Sequence, residues 1–226
     1  MKPERFKRHM MRAGATLVGV GDVEVALPEE IGYLKRAVSM ALDRSLNAGA
    51  VTRLMALQRE AERWLKGAGY RFLSIPPDSD RRKGKFISRL YDLFSHKTGA
   101  TCSGLGWVGK NGLVINERYG PKLSWATVLT DAPFEPDDPI ESSLCGECDY
   151  CVRHCPSGAI TGNLWSLEDP YRELVRYERC KSLKQERHLF EGKPNCGLCV
   201  TICPYSRQGS GPGKNQARLS FQEDRG

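Results

Sequence analysis

CGECDYCVRHCP, Cys145 to Pro156, reads Cys-x2-Cys-x2-Cys-x3-Cys-Pro. This is the run found in bacterial ferredoxins, where the fourth cysteine ligates the other of two iron–sulfur clusters. A second run, CGLCVTICP, gives Cys196-x2-Cys199-x3-Cys203-Pro204 and is one ligand short. Two four-iron clusters need eight thiolates, and Cys180, between the runs, completes the set. The crossed pattern assigns Cys145, Cys148, Cys151 and Cys203 to one cluster, and Cys155, Cys180, Cys196 and Cys199 to the other. Zinc also accepts four thiolates with Cys-x2-Cys spacing. Three cysteines in seven residues followed by x3-Cys-Pro suit a cuboidal cluster better than a tetrahedral ion.

The rest of the composition agrees. None of the nine cysteines precedes Cys102, whereas a disulfide scaffold would be short, secreted and cross-linked throughout. Hydrophobic residues make up 40% and charged residues 27%, ordinary for a soluble globular protein. No apolar run approaches a membrane span, and the basic N-terminus lacks a secretory core, so a cytoplasmic protein is expected. The formal charge of +7 suggests nucleic acid, but it counts every cysteine as neutral. Eight thiolates and two cluster cores bring it to about +3. Cys102 reads as a buried small hydrophobe, His154 as a polar residue on a helix rim, and Trp165 and Tyr205 as walls between the clusters and water.

Upstream, residues 3–14 suggest a helix and TLVGVG a strand. YLKRAVSMALDRS places Leu34, Val38, Ala41 and Leu42 on one helical face. TRLMALQREAERWLKGAG repeats that pattern, with Thr52 as its cap and Gly67 or Gly69 as its end. RFLSI, GLVIN and SWATVLTD read as strands. The expectation is an α+β architecture: an α/β domain over residues 1–140, a double-cluster ferredoxin-like domain over 141–206, and a flexible tail over 207–226. APFEPDDPIESS reads as the connection into the cysteine-rich part.

GLGWVGKN, Gly104 to Asn111, nearly matches two nucleotide loops, G-x-x-x-x-G-K-[ST] and G-x-G-x-x-G. Both require a strand before the glycines and a helix after them, so that phosphate meets helix N-terminal amides. Polar SHKTGATCS precedes this loop, β-branched GLVIN follows it, and Asn111 lacks the hydroxyl that binds magnesium. ATP and NAD are both excluded. Two readings remain: a structural turn, or a close approach to something flat or phosphorylated.

GLGWVGKN, VLTDAP, CGECDYCVRHCPSGAI, Cys180 and CGLCVTICP, in that order over Ser95 to Tyr205, resemble the epoxyqueuosine reductase family. That family is related to the corrinoid-dependent reductive dehalogenases. The resemblance implies a nitroreductase-like cobalamin-binding domain joined to a double-cluster domain. A donor such as a ferredoxin or flavodoxin would then feed the clusters, and these would reduce cobalt. It also implies that Gly104, Gly106, Trp107, Gly109, Lys110 and Asn111 lie against the corrinoid, with Lys110 near its phosphate. Members that act on tRNA place an aspartate shortly before the glycine loop. Here Asp78, Asp80 and Asp92 sit in a different layout, and little more than twenty residues follow Cys203. tRNA is therefore not expected as a partner, and the basic string DRRKGK reads as solvated surface. Two functions follow: a compact cobalamin-dependent reductase, or a ferredoxin-like carrier that reduces a partner such as a separate corrinoid protein.

Overall fold

The computed structural model describes residues 1–44, 49–77, 93–191 and 196–207. Its centre is a four-stranded antiparallel sheet of β1 (Leu17–Asp22), β2 (Arg36–Asp43), β3 (Phe72–Ile75) and β6 (Leu123–Thr130), in the order β1-β2-β6-β3. Two short strands, β4 (Trp107–Val108) and β5 (Val114–Ile115), pair separately. Antiparallel pairing throughout makes the fold α+β.

Two helices cover one face of the sheet: α1 (Glu4–Arg12) and α2 (Ala50–Gly67). They bury Phe6, Met10, Leu54, Leu57, Ala61 and Leu65 against Val38, Met40 and Val128. Phe6 meets Trp64 edge-on, with ring centroids 4.9 Å apart, and Phe134 at 5.3 Å. Gln58, buried within α2, donates its amide N–H groups to the carbonyls of Ile75 and Thr127, which satisfies a polar side chain the core would otherwise reject. The other face holds α3 (His96–Cys102), packed so closely that a Cβ on Gly99 would lie 2.7 Å from the Ser39 hydroxyl oxygen.

The helix expected over YLKRAVSMALDRS is strand β2. Its register pairs Val38 with Val20 on one side and with Val128 on the other. Both faces are covered, so every residue from Ala37 to Asp43 is buried. Two-sided burial erases the alternation of a half-buried strand and leaves a continuous apolar run that imitates a helix. Thr52 is not the cap of α2, which starts at Ala50 after Gly49. The helix ends with left-handed Gly69 (φ 83°), whose neighbour Tyr70 donates its N–H to the Leu65 carbonyl at 3.0 Å, a Schellman ending.

The acid-rich connection after β6 is anchored along β1. The Asp137 carboxylate accepts the Val20 N–H at 2.8 Å and pairs with Lys7, and the Asp137 N–H returns to the Val20 carbonyl. Asp78, Asp80, Asp92, the string DRRKGK and the tail beyond residue 207 lie outside the described residues. No helix among the described residues is long and apolar enough to cross a membrane.

Candidate iron–sulfur centre and the glycine loop

The cysteine-bearing segment has little regular structure. Cys145 and Cys148 share a turn closed by Cys148 N–H to Cys145 O at 3.0 Å, and Cys151 lies on the one-turn helix α4 (Tyr150–Arg153). Cys180 is on α5 (Tyr177–Glu191), and Cys199 is on the one-turn helix α6 (Leu198–Thr201). Cys155 and Cys196 occupy the loops between these helices, and Cys203 follows α6. Seven of the eight thiols are partly buried and Cys203 is buried.

The electrostatics divide the thiols. Burial, then the neighbouring charges of Cys145, Cys148, Cys203 and Cys199, push the Cys151 thiol up to about 12. Burial followed by Cys180, Cys196 and Cys155 raises Cys199. Burial also raises Cys203, with added charge from Cys145 and Cys148. Like charges at close range disfavour ionisation, so these shifts report which thiols are neighbours. The charges felt at Cys203 come from Cys145 and Cys148 and those felt first at Cys151 from the same pair, while Cys199 feels Cys180, Cys196 and Cys155. Cys151 also senses Cys199, which places the two groups next to each other.

Among the described residues, no three His, Cys, Asp or Glu side chains converge tightly enough to hold a single metal ion. Four thiolates on a cuboidal cluster bind separate irons and need not converge on one point, as ligands of a tetrahedral zinc must. The donor chemistry fits as well. At Cys155 burial pushes the thiol up, yet hydrogen bonds from the Ser157 hydroxyl and the amides of Ser157, Ala159 and Ile160 outweigh it and bring the pKa down. Amides of Tyr205 and Ser206 likewise support the Cys203 sulfur. Donors aimed at sulfur favour the thiolate, the form that binds metal.

Trp165, 6% exposed, packs with Val108, Ala159 and Ile160 against Cys151, Cys155, Cys180 and Cys199. Tyr205 stands beside Cys203 and Cys145. His154 is exposed, with its ring near the Tyr150 carbonyl, on the helix rim. Cys102 is buried on α3, and burial raises its pKa ahead of the opposing hydrogen bond to Thr101.

The glycine loop runs from α3 into β4 and β5, so a helix precedes it and a strand follows it. This is the reverse of a nucleotide loop: the strand after it was expected, and the helix before it was not. A Cβ on Gly104 would stand 2.5 Å from the Asp138 carbonyl oxygen, and one on Gly106 2.4 Å from that of Ile115. On Gly109 it would stand 2.3 Å from the Ile115 Cδ1 atom. These glycines let the chain approach itself. Asn111 accepts the Leu113 N–H and donates to the Cys199 carbonyl at 3.2 Å. Lys122 donates to the Ser206 carbonyl at 3.0 Å. The loop therefore joins the sheet to the cysteine segment, a role that the lone letters of Asn111 and Lys122 did not signal.

Trp107, 2% exposed, packs edge-on against Tyr205, and its indole N–H has no hydrogen-bond partner among the described residues. Lys110 is 8% exposed, and no hydrogen bond or ion pair is found for it among the described residues.

Residues 144–206 match the family model described as a 4Fe-4S double cluster binding domain. The cysteine segment is thus similar to a double-cluster iron–sulfur domain. The chain resembles epoxyqueuosine reductases. It is 36% identical to that of Listeria monocytogenes over 108 residues, which make up 46% of this chain and 28% of that protein. Among solved structures, it is similar to an epoxyqueuosine reductase held with a tRNA-Tyr epoxyqueuosine-modified stem loop. There the TM-score is 0.64 at 20% identity, over 90% of this chain and 64% of the other. A structure of a reductive dehalogenase, described by its mechanism of B12-dependent dehalogenation, gives a TM-score of 0.63 at 21% identity, over 87% of this chain and 30% of that one. These structures share the fold. The matched stretch spans about a third or less of the curated relatives' length.

Proposed function

We propose that this chain is an iron–sulfur reductase in which the two thiol groups hold two four-iron clusters that pass single electrons at low potential to an acceptor. The observation that carries the reading is the match of residues 144–206, which contain all eight cysteines, to a 4Fe-4S double cluster binding domain. The bound clusters supply the electron transfer. The chain's own residues hold the thiolates with amide donors at Cys155 and Cys203, exclude water with Trp165 and Tyr205, and keep the two groups adjacent. A ferredoxin or flavodoxin class of donor suits such a relay.

Cobalamin is the acceptor implied by the resemblance, and B12 belongs to the dehalogenase neighbour. The glycine loop does not fit it as a cradle. The space beside Gly104, Gly106 and Gly109 is filled by Asp138 and Ile115. Asn111 is bonded within the chain and Trp107 is covered by Tyr205. Lys110, the cation among the six, has no partner among the described residues. No step through a corrinoid is therefore drawn, and a corrinoid bound here would have to use other surfaces. The stem-loop complex of the relative stands against the expectation that tRNA is not a partner, so tRNA belongs among the acceptors to be assayed.

The test is anaerobic reconstitution of the full chain. The expected content is about eight iron and about eight sulfide per chain, and Cys148→Ala should lose about half of the iron, because three thiolates hold a cluster poorly. Zinc in place of iron, or unchanged iron in the variant, overturns the assignment. Recording the EPR spectrum with cob(II)alamin and then with tRNA separates the acceptors: a base-off cobalt signal identifies a corrinoid, and an unchanged one favours a carrier with a separate partner.

A further inference from the structure

The indole N–H of Trp107 is one of three buried side-chain polar atoms without a partner among the described residues. The other two are the hydroxyls of Ser39 and Ser143, which can rotate, whereas an indole N–H only donates and its direction is fixed by the ring. Buried donors are almost always satisfied, so an orphan calls for an acceptor. Trp107 is held in place by packing on Ile115, Cys203 and Tyr205, with Cys145 and Ile140 at the edge of the same group. The Tyr205 ring lies 5.0 Å away at an interplanar angle of 79°. Among the described residues none accepts this N–H, and Cys203 and Cys145 of the same packed group define where a non-protein acceptor would sit.

We infer that Trp107 donates its indole N–H to a sulfur of the cluster held by Cys145, Cys148, Cys151 and Cys203. The inference rests on the two-cluster reading. A hydrogen bond to cluster sulfur stabilises the reduced, more negative state and raises the reduction potential. The other cluster is walled by Trp165 and receives nothing from Trp107. The indole thus tunes one of the two clusters and sets a potential step between them. It is a positioning residue for the cluster, not a platform for a flat ligand.

Trp107→Phe keeps an aromatic ring in the packing while removing the donor and part of the indole's volume. In anaerobically purified holoprotein, it should retain the parent's iron and sulfide, shift one cluster's midpoint to more negative potential, and leave the other unmoved. Protein grown with 15N-indole tryptophan should show 15N coupling to one reduced cluster in pulsed EPR, and this coupling should vanish in the variant. Full iron with both midpoints unchanged, or no 15N coupling in the parent protein, overturns the inference. A parent protein that lacks cluster iron fails the two-cluster reading itself. Because the labelling experiment needs only the parent, a variant that does not fold leaves the decision intact.

Discussion

The sheet and the cysteine segment are stabilised by different physics. Against the sheet, α2 runs for 18 residues and buries a continuous apolar face, and Phe6, Met10, Val38 and Val128 are at most 1% exposed. In the cysteine segment α4 and α6 have four residues each and no buried residue, while Tyr150, Tyr171 and Leu144 are exposed. A single helical turn does not persist in water without tertiary support. The sheet is held by burial along whole elements, while the cysteine segment has a smaller buried group around Ala159, Ile160, Trp165, Leu174 and Val175, to which a bound metal group would add cross-links.

Iron removal should separate the two most. Anaerobic chelation is expected to lower local stability in residues 144–206 by at least about 3 kcal/mol, with backbone amides of β1, β2 and β6 still protected. Hydrogen exchange followed by mass spectrometry reads this directly. Simultaneous loss in both regions would mean that one cooperative unit spans them, and the comparison would break.

The converse change is Phe6→Ala, which opens the Phe6–Trp64–Phe134 group and should cost about 3–5 kcal/mol. Denaturant unfolding followed by circular dichroism measures it, and cluster absorbance should be unaltered in the folded fraction. A loss of iron from the folded variant would show that the sheet core supports the clusters.

Gly106→Ala acts between the regions. Its Cβ would meet the Ile115 backbone carbonyl at 2.4 Å, which cannot turn aside as a side chain would. The expected loss is about 1–3 kcal/mol in thermal unfolding, with β4–β5 pairing disturbed. An unchanged midpoint would mean that the loop is looser than its contacts indicate.

The smallest effect belongs to Cys102. Its folded pKa is raised above the ordinary thiol value by burial, so the folded state favours the neutral thiol. Stability is therefore untouched below that ordinary value and declines as pH climbs through it. At pH 8 the holoprotein should react with iodoacetamide more slowly than free cysteine does, and denaturation should restore the ordinary rate. Fast alkylation of the folded protein would place this thiol in solvent.

Legibility in the sequence followed the range of the interactions. The cysteine runs, α2, β3 and β6 were readable because their signals repeat within a few residues. The lack of a strand before Gly104 was readable from its polar stretch and the strand after Asn111 from Val114 and Ile115, whereas the helix α3 before the loop was not. The strand β2 was misread because its period is hidden by helices on both faces of the sheet. Thr52 was misread as a cap because it stands two residues inside a helix that a glycine begins.

By itself the sequence determined which eight thiols are available, that their spacing suits clusters, and that the glycine loop cannot hold a nucleotide. These are properties of residue type and local spacing. Only the tertiary structure decided that the glycines admit Asp138 and Ile115, that Asn111 reaches the Cys199 carbonyl, and that Trp107 presents a buried donor without an acceptor beside Cys203. Those contacts join residues far apart along the chain, and their geometry exists only after the sheet has fixed the loop against the cysteine segment.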